Sequence, residues 1–126
     1  MSARTFTRRR LINSDKLARL CAKLAADKKA ENVVAIDLRG ISAFTDYFVI
    51  CSGTSEPHLK AISSELQDQL KKDHDIKPLA VDGYPASHWI VVDLVDVVVH
   101  IFHESKRSAY SLEDLWSDAP RLKLKL

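Results

Sequence analysis

The spacing of hydrophobic positions changes several times along the chain, and each change predicts a new element. Asn13 or Ser14 is a typical helix N-cap, and apolar residues then recur every three or four positions as far as Leu24. We predict that this first helix ends near residues 28–30, with basic residues in its last turn. A second apolar stripe with helical spacing follows Pro57, whose missing N–H is harmless in the first turn of a helix.

Between and after these helices lie short runs rich in β-branched and aromatic residues. They predict five strands, at 33–38, 46–51, 78–81, 89–94 and 97–103. The first two have a short connection, which favours antiparallel neighbours, and Pro78 favours a sheet edge for the third. Only Val95 and Asp96 separate the last two, so these should form a tight hairpin, and a short capped helix is expected over 111–116. The predicted fold class is α/β, a single domain with a five-stranded mixed sheet and packed helices.

The hairpin should present two chemically different faces, because side chains alternate along a strand. One face is aliphatic: Ile90, Val92, Leu94, Val97, Val99 and Ile101. The other combines aromatic and polar side chains: Trp89, Asp93, His100 and Phe102. Aromatic residues beside a few charges are typical of a protein-binding hot spot. The alternative is that a helix covers this face and that Trp89 belongs to the core, and the pattern leaves both open.

Charge is distributed unevenly along the 126 residues, although the net charge is only +2. Seven of the 19 basic residues lie in the segments 1–10 and 120–126, which contain no acidic residue. The body between them therefore holds 12 basic residues against all 17 acidic ones, a net charge of −5. An acidic body repels phosphate and suits a basic protein partner, although it also serves solubility. We expect no nucleic-acid binding by the core, whereas the basic ends could touch RNA.

Cysteine usage and hydropathy indicate in which cellular compartment the protein is expected. No apolar run approaches the roughly 18 residues that span a bilayer, so we expect no membrane segment. The Arg-rich start lacks the apolar stretch of a secretory signal and is interpreted as a solubilising tail or as part of an organelle transit peptide. Cys21 falls in a helical pattern and Cys51 ends an apolar run, so we interpret both as reduced thiols of a cytoplasmic protein.

Candidate catalytic groups lack the spacing that catalysis needs. A Gly-Ser turn at 52–55 opens a helix, as in nucleotidyltransferases, and Asp37, Asp93 and Asp96 are candidate carboxylates. Two metal ligands on one strand face need Asp-x-Asp spacing, whereas Asp93 and Asp96 are three apart across a turn. The histidines have no thiolate partners at ligand spacing, and no Gly-x-Ser-x-Gly elbow occurs. We predict no catalytic residue, no metal and no cofactor, with a nucleotidyltransferase-like enzyme as the alternative.

Three strings of residues, in order, carry a family resemblance. They are 46–55, 89–102 and 110–116, the last followed by Asp-Ala-Pro at 118–120. Their order and spacing resemble those of the ribosomal silencing factor, or Iojap-like, family. The resemblance covers about residues 14–120. It therefore implies a silencing-factor domain over 14–120, between a flexible basic tail at 1–13 and a basic tail at 121–126.

The resemblance implies a translation repressor that is not an enzyme. Such a protein binds the large ribosomal subunit at its intersubunit face and sterically blocks joining of the small subunit when nutrients are short. The contact is with a basic ribosomal protein, the universal fourteenth protein of the large subunit, and the tails could touch ribosomal RNA. The family fold is similar to that of nucleotidyltransferases without their catalytic carboxylates. Homodimers, an organelle location and a role in large-subunit assembly are further expectations from the family.

The resemblance also assigns a partner-binding surface, position by position. Its residues are Trp89, Asp93, Leu94, His100, Phe102, Glu104 and Tyr110. Trp89 would be the aromatic anchor, and Tyr110 would be either contact or support. Val95 stands where the family commonly has Gly in the hairpin turn. Because a β-branched residue resists positive φ, we expect this turn to take another shape, which would shift Leu94 and Asp96.

Overall fold

A five-stranded sheet forms the centre of the computed structural model, which describes residues 12–83 and 88–126. Its strands are Glu31–Asp37 (β1), Tyr47–Gly53 (β2), Ala80–Asp82 (β3), Trp89–Asp93 (β4) and Val97–His103 (β5). Their order is β1-β2-β5-β4-β3, with β2 and β5 parallel and the other neighbours antiparallel. The predicted mixed sheet, the β4–β5 hairpin, the antiparallel β1–β2 pair and the edge position of β3 are confirmed.

The first helix, α1 (Ser14–Asp27), begins as predicted, and its end differs from the prediction. Asn13 caps it by accepting a hydrogen bond from a first-turn backbone N–H at 2.9 Å. The predicted basic last turn is wrong, because the helix ends before Lys28 and its last turn holds no basic residue. Lys29 takes a φ of +66°, so the N–H of Ala30 reaches back to a helix carbonyl at 3.0 Å and closes the helix.

The second helix, α2 (Glu56–His74), is framed by local signals on both sides. Ser55 caps its start by accepting from a backbone N–H at 3.1 Å, and Pro57 lies in the first turn. Asp75, with a φ of +54°, ends it. No helix in the described parts of the chain is long and apolar enough to cross a bilayer.

The two faces of the sheet are covered differently. One, the helical face, packs against α1 and α2 and contains the predicted aliphatic set of the hairpin, buried in a single cluster with the apolar stripes of both helices. The free thiols of Cys21 and Cys51 are buried in the same cluster. The opposite side, the aromatic face, carries a smaller cluster. Its residues are Ile36, Leu38, Ile50, Phe102 and Ala119, with Val34, Phe48, Trp89, Leu112 and Trp116 partly buried against them.

Two four-residue helices, α3 (Arg107–Tyr110) and α4 (Leu112–Leu115), follow β5, and the second lies within the range 111–116 where a capped helix was predicted. Ser111 separates them with a φ of +50°, a conformation through which a right-handed helix cannot continue. Its side chain makes no N-cap hydrogen bond to α4, and its hydroxyl instead donates to the Ser108 carbonyl in α3. The predicted helix over 111–116 is present as α4, and the prediction that Ser111 caps it through its side chain is wrong.

Arg107 links α3 and α4 to the sheet through hydrogen bonds. Its guanidinium donates two hydrogen bonds to the Glu113 carboxylate, at 3.0 and 3.1 Å, and one to Ser52 Oγ on β2, at 2.9 Å. Both charged side chains are largely buried, 11% and 25% exposed. Because a bidentate pair fixes distance and orientation together, it holds α3 and α4 beside the aromatic face.

Residues on both sides of the predicted 14–120 domain contact it. The segment after Pro120 was predicted as a tail, yet the Leu122 N–H donates to the Ala35 carbonyl of β1 at 2.9 Å, and Leu122 and Leu124 pack on the helical-face cluster. This basic segment lies against the domain because it pairs with the edge strand β1. At the other end, Ile12 packs on the same cluster and Asn13 caps α1, and residues 1–11 of the predicted N-terminal tail lie outside the described residues.

Candidate protein-binding face

Three aromatic rings stack at one end of the aromatic face. Trp89 on β4 and Phe102 on β5 are direct cross-strand partners, and their ring centroids lie 4.9 Å apart with a 25° angle between planes. Tyr110 on α3 contacts both, with centroids 4.6 Å from Trp89 and 5.5 Å from Phe102. Phe102 is buried, Trp89 is partly buried and Tyr110 is 47% exposed. The stack therefore offers surface through Trp89 and Tyr110, supported by Phe102 beneath.

His100 lies beside this stack, and its two ring nitrogens have different environments. The Trp89 indole N–H donates to His100 Nδ1 at 3.1 Å, so in the neutral ring the proton sits on Nε2. His100 is 6% exposed, and Nε2 is buried with no hydrogen-bond partner within residues 12–83 and 88–126. Burial lowers the pKa of His100 to about 4, so the ring is neutral at physiological pH. The aromatic face thus contains a buried N–H donor that the described residues leave unused.

In the turn between β4 and β5, Val95 adopts the positive φ that a β-branched residue was expected to avoid. Its φ is +75°, and the Asp96 N–H bonds to the Leu94 carbonyl at 3.0 Å, as in a γ-turn. The expectation that a β-branched residue would avoid positive φ at this position is therefore wrong. Its side chain is only 4% exposed, and its N–H donates to Asp93 Oδ1 at 2.8 Å, so packing and a hydrogen bond hold it. Leu94 consequently stays fully buried in the helical-face cluster.

A groove opens beside His100 between the loop 41–45 and Trp116, and we call it the Phe44 groove. It encloses about 710 Å³, within the size range of protein ligand sites. Its lining residues are Ile41, Ser42, Ala43, Phe44, Thr45, Phe48, Asp93, Val98, His100 and Trp116. Phe48 contacts His100 edge to face with centroids 4.4 Å apart, and Trp116 lies 6.2 Å from Phe48 at 89°. The groove walls are therefore mainly aromatic and aliphatic.

Sequence reasoning missed the residues that build this groove. Phe48 reaches the aromatic face because β2 pairs in parallel with β5, which places it opposite Val98. Alternation along β2 would have identified Phe48 only once that pairing was known. Trp116 lies in the third family string, whereas Phe44 and Ile41 lie in a loop where no sequence pattern indicated a binding site. These two side chains are 78% and 51% exposed at the groove's rim.

The structure brings together four of the seven predicted contact residues: Trp89, His100, Phe102 and Tyr110. Asp93 lies on the wall of the Phe44 groove, and Glu104 is exposed just after β5. Leu94 lies under the helices on the other face. Exposed atoms therefore belong to Trp89, Asp93, Glu104 and Tyr110, whereas His100 is approached through the groove.

The carboxylates of the nucleotidyltransferase alternative are not assembled into one site. Asp37 on β1 and Asp93 on β4 are separated by β2 and β5, three strand spacings or about 14 Å. Asp37 instead pairs with Arg39 at 2.8 Å, and that hydrogen bond holds the pKa of the Asp37 carboxyl below its usual value. In the described part of the chain, no group of three or more His, Cys, Asp or Glu side chains could hold a metal ion. The arrangement favours a binding face over a catalytic centre.

Comparisons with known proteins agree with this α/β architecture. A crystal structure of a protein from Bacillus halodurans matches with a TM-score of 0.76 and 41% identity, over 87% of this chain and 99% of that one. The fold is therefore one that a bacterial protein of known structure shares. A family model described as ribosomal silencing factor during starvation matches residues 12–126. The chain belongs to the ribosomal silencing factor family.

Individual relatives support the same assignment. The ribosomal silencing factor RsfS of Bacillus subtilis (strain 168) is 42% identical over 109 residues, 86% of this chain and 92% of that protein. The mitochondrial Iojap-related protein of Arabidopsis thaliana is 39% identical over 100 residues, 75% of this chain and 53% of that protein. The resemblance carried by the three strings is confirmed. The family match also includes residues 121–126, in agreement with their packing on the domain.

Proposed function

We propose that this chain is a ribosome-associated repressor of translation that acts by steric blockade. It binds the large subunit at the intersubunit face through a basic ribosomal protein, the universal fourteenth, and thereby prevents the small subunit from joining. The observation that carries this proposal is the family match over residues 12–126. The aromatic face, which α1 and α2 leave uncovered, supplies a surface for the contact. No cofactor takes part.

The exposed chemistry of the aromatic face suits a basic protein. Trp89 and Tyr110 provide adjoining rings of the kind enriched at interface centres. Asp93 and Glu104 add acidic groups at opposite ends of the hairpin strands. The net charge of −5 over 11–119 would favour and accelerate encounter with a positively charged partner.

The seven predicted positions then take four roles in the proposed contact. Direct contact falls to the four with exposed atoms, Trp89, Asp93, Glu104 and Tyr110. Phe102, which is 1% exposed, supports the two rings above it. Leu94 anchors the hairpin in the helical-face cluster, and His100 faces the groove.

Co-sedimentation with purified large and small subunits, each alone and then mixed, tests the proposal. We expect binding to the large subunit only, a smaller fraction of joined ribosomes, and weaker binding as salt rises. Absence of binding to large subunits at low salt would refute the proposal. Binding to large subunits without any change in joining would instead favour the assembly-factor alternative, which uses the same surface.

A further inference from the structure

A buried hydrogen-bond donor without an acceptor is rare in folded proteins and calls for an explanation. His100 Nε2 is such an atom among the described residues. Its protonation follows from the contact on the other side of the ring, where the Trp89 indole N–H occupies Nδ1. Since an indole nitrogen only donates, Trp89 holds the His100 ring in the tautomer with its proton on Nε2.

The direction of this donor can be read from the sheet. Trp89 approaches His100 from β4, on one side of β5, and the two nitrogens of an imidazole point in diverging directions. On the other side of β5 lies β2, from which the Phe48 ring contacts His100. That side opens into the Phe44 groove, which His100 lines. His100 therefore belongs to the inner wall of this groove, and its unused N–H lies covered just behind that wall among the described residues.

The charge of the groove selects the chemistry of its occupant. Among its ten lining residues Asp93 is the charged side chain and none is Lys or Arg, so nothing there would neutralise a phosphate. A carboxylate would also be repelled by Asp93. An uncharged acceptor, such as an amide carbonyl oxygen, suits the neutral His100 ring, and a neighbouring Lys or Arg of the occupant would pair with Asp93.

The rim of the groove favours a protein over a small molecule. Phe44 and Ile41 are 78% and 51% exposed, so apolar surface continues outward from the cavity onto the loop. Exposed apolar surface of this kind is typical of protein-docking sites. A small ligand inside the groove would leave that rim in water.

We infer that the Phe44 groove receives an apolar side chain from an extended segment of the basic ribosomal partner, and that its entry uncovers His100 Nε2, which then donates a hydrogen bond to a carbonyl oxygen of that segment. This inference rests on the proposed function and adds a second anchor beside the Trp89–Tyr110 surface. Trp89 is then a positioning residue for His100 as well as a contact. Phe44, Phe48 and Trp116 form the apolar walls around the inserted side chain.

Two substitutions at His100 separate the hydrogen bond from the packing. His100→Asn keeps an acceptor near Trp89 but is too short to donate in the groove. His100→Gln extends an amide N–H to about the position of Nε2. We expect His100→Asn to weaken binding to large subunits about tenfold, the range of one hydrogen bond, and His100→Gln to recover most of the loss. Equal affinity of His100→Asn and the parent protein would overturn the inference.

The Nε2–H resonance of His100 provides a second test, because it responds to hydrogen bonding and not to packing alone. In ¹⁵N-labelled protein, the Nε2–H resonance should show the Nε2-protonated tautomer before the partner is added. On addition of the purified basic ribosomal protein, we expect this proton to move downfield and exchange more slowly with water. An unchanged Nε2–H resonance in a saturated complex would contradict the inference and leave the proposed function standing.

A matched pair of exposed apolar residues tests the groove itself. Phe44→Ala removes its rim, whereas Leu126→Ala removes an apolar side chain of similar exposure, 62%, from the C-terminal end. We expect Phe44→Ala to weaken large-subunit binding at least fivefold and Leu126→Ala to leave it unchanged. If Phe44→Ala alters only self-association, measured by analytical ultracentrifugation, the groove serves a second copy and the inference fails. If the parent protein binds no large subunit, the proposed function fails first.

Discussion

The two faces of one sheet differ in what their side chains accomplish, although the same strands supply both. On the helical face, Val99 and Ile101 of β5 are fully buried among aliphatic partners from α1 and α2. On the aromatic face of the same strand, His100 is buried with a donor that no described residue uses, and the Trp89–Tyr110 surface above Phe102 stays partly exposed. Within residues 12–83 and 88–126, the polar and apolar groups of the helical face are satisfied and those of the aromatic face are not.

The helical face therefore contributes mainly to stability, and the aromatic face is available for recognition. A buried unsatisfied donor lowers the stability of the free protein by about 1–3 kcal/mol, and a packed apolar core compensates for such a cost. The helical face can supply that stability because its apolar residues are contiguous from α1 through the sheet to α2. Substitutions on the helical face should therefore change folding first, and substitutions on the aromatic face should change binding first.

The largest effect is expected from opening a cavity in the helical face. Leu66 is fully buried on α2, and Leu66→Ala should lower the free energy of unfolding by about 2–5 kcal/mol, because apolar contacts are lost and a cavity remains. Urea denaturation measures this change. Leu115→Ala, at a side chain that is 73% exposed, is the control and should change stability by less than about 0.5 kcal/mol. A loss below 1 kcal/mol at Leu66 would contradict the assignment of stability to this face.

Acid pH should weaken the fold through His100. Burial lowers its pKa to about 4, below the value near 6.5 of an unfolded chain, so the unfolded state binds the proton more readily. The contribution of His100 is thus fully present above pH 6.5 and is lost as the pH falls toward 4, by up to about 3 kcal/mol. Denaturation curves at several pH values measure this loss. His100→Gln should flatten the dependence in that window, and an unchanged slope would exclude His100 as its source.

Removal of the aromatic anchor should affect binding more than folding. Trp89→Ala should weaken association with the large subunit by about 2 kcal/mol or more, as central aromatic residues of interfaces often do. Equilibrium binding of labelled protein measures the change, and circular dichroism establishes that the variant is folded. Trp89→Phe is a companion that keeps a ring but removes the N–H donor to His100. A folded Trp89→Ala variant that binds like the parent would remove Trp89 from the contact.

The smallest effect is expected in the turn that joins the two faces. In Val95→Gly, relief of a positive φ and loss of a buried side chain oppose each other. Because glycine also increases the entropy of the unfolded chain, we expect a net destabilisation of about 1 kcal/mol in thermal or urea unfolding. A stabilised variant would show that backbone strain outweighs packing at Val95.

Local patterns predicted most of the fold, and non-local pairing accounts for what they missed. Alternation along β4 and β5 was sufficient to separate the aliphatic set from Trp89, His100 and Phe102. Nothing local indicated that β2 would run parallel to β5 and bring Phe48 against His100. The pairing of Leu122 with β1 joins residues that are even farther apart in sequence.

Conformational details were missed for a different reason. The left-handed conformations of Ser111 and Val95 contradict the preferences of their residue types, and each depends on surrounding structure. At Val95 that structure is burial and the hydrogen bond from its N–H to Asp93. The candidate site was therefore predictable as a face of the hairpin, whereas the Phe44 groove needed tertiary structure.

Hydroxyl-radical footprinting of the protein bound to large subunits tests the division between the faces most directly, because aromatic side chains react readily. We predict strong protection of Tyr110, Phe44 and Trp116 in the complex. The control is Leu126, whose oxidation should match that of the free protein. Unchanged oxidation of Tyr110 and Phe44, together with protection along the outer surfaces of α1 and α2, would show that the helical face, and not the aromatic face, binds the subunit.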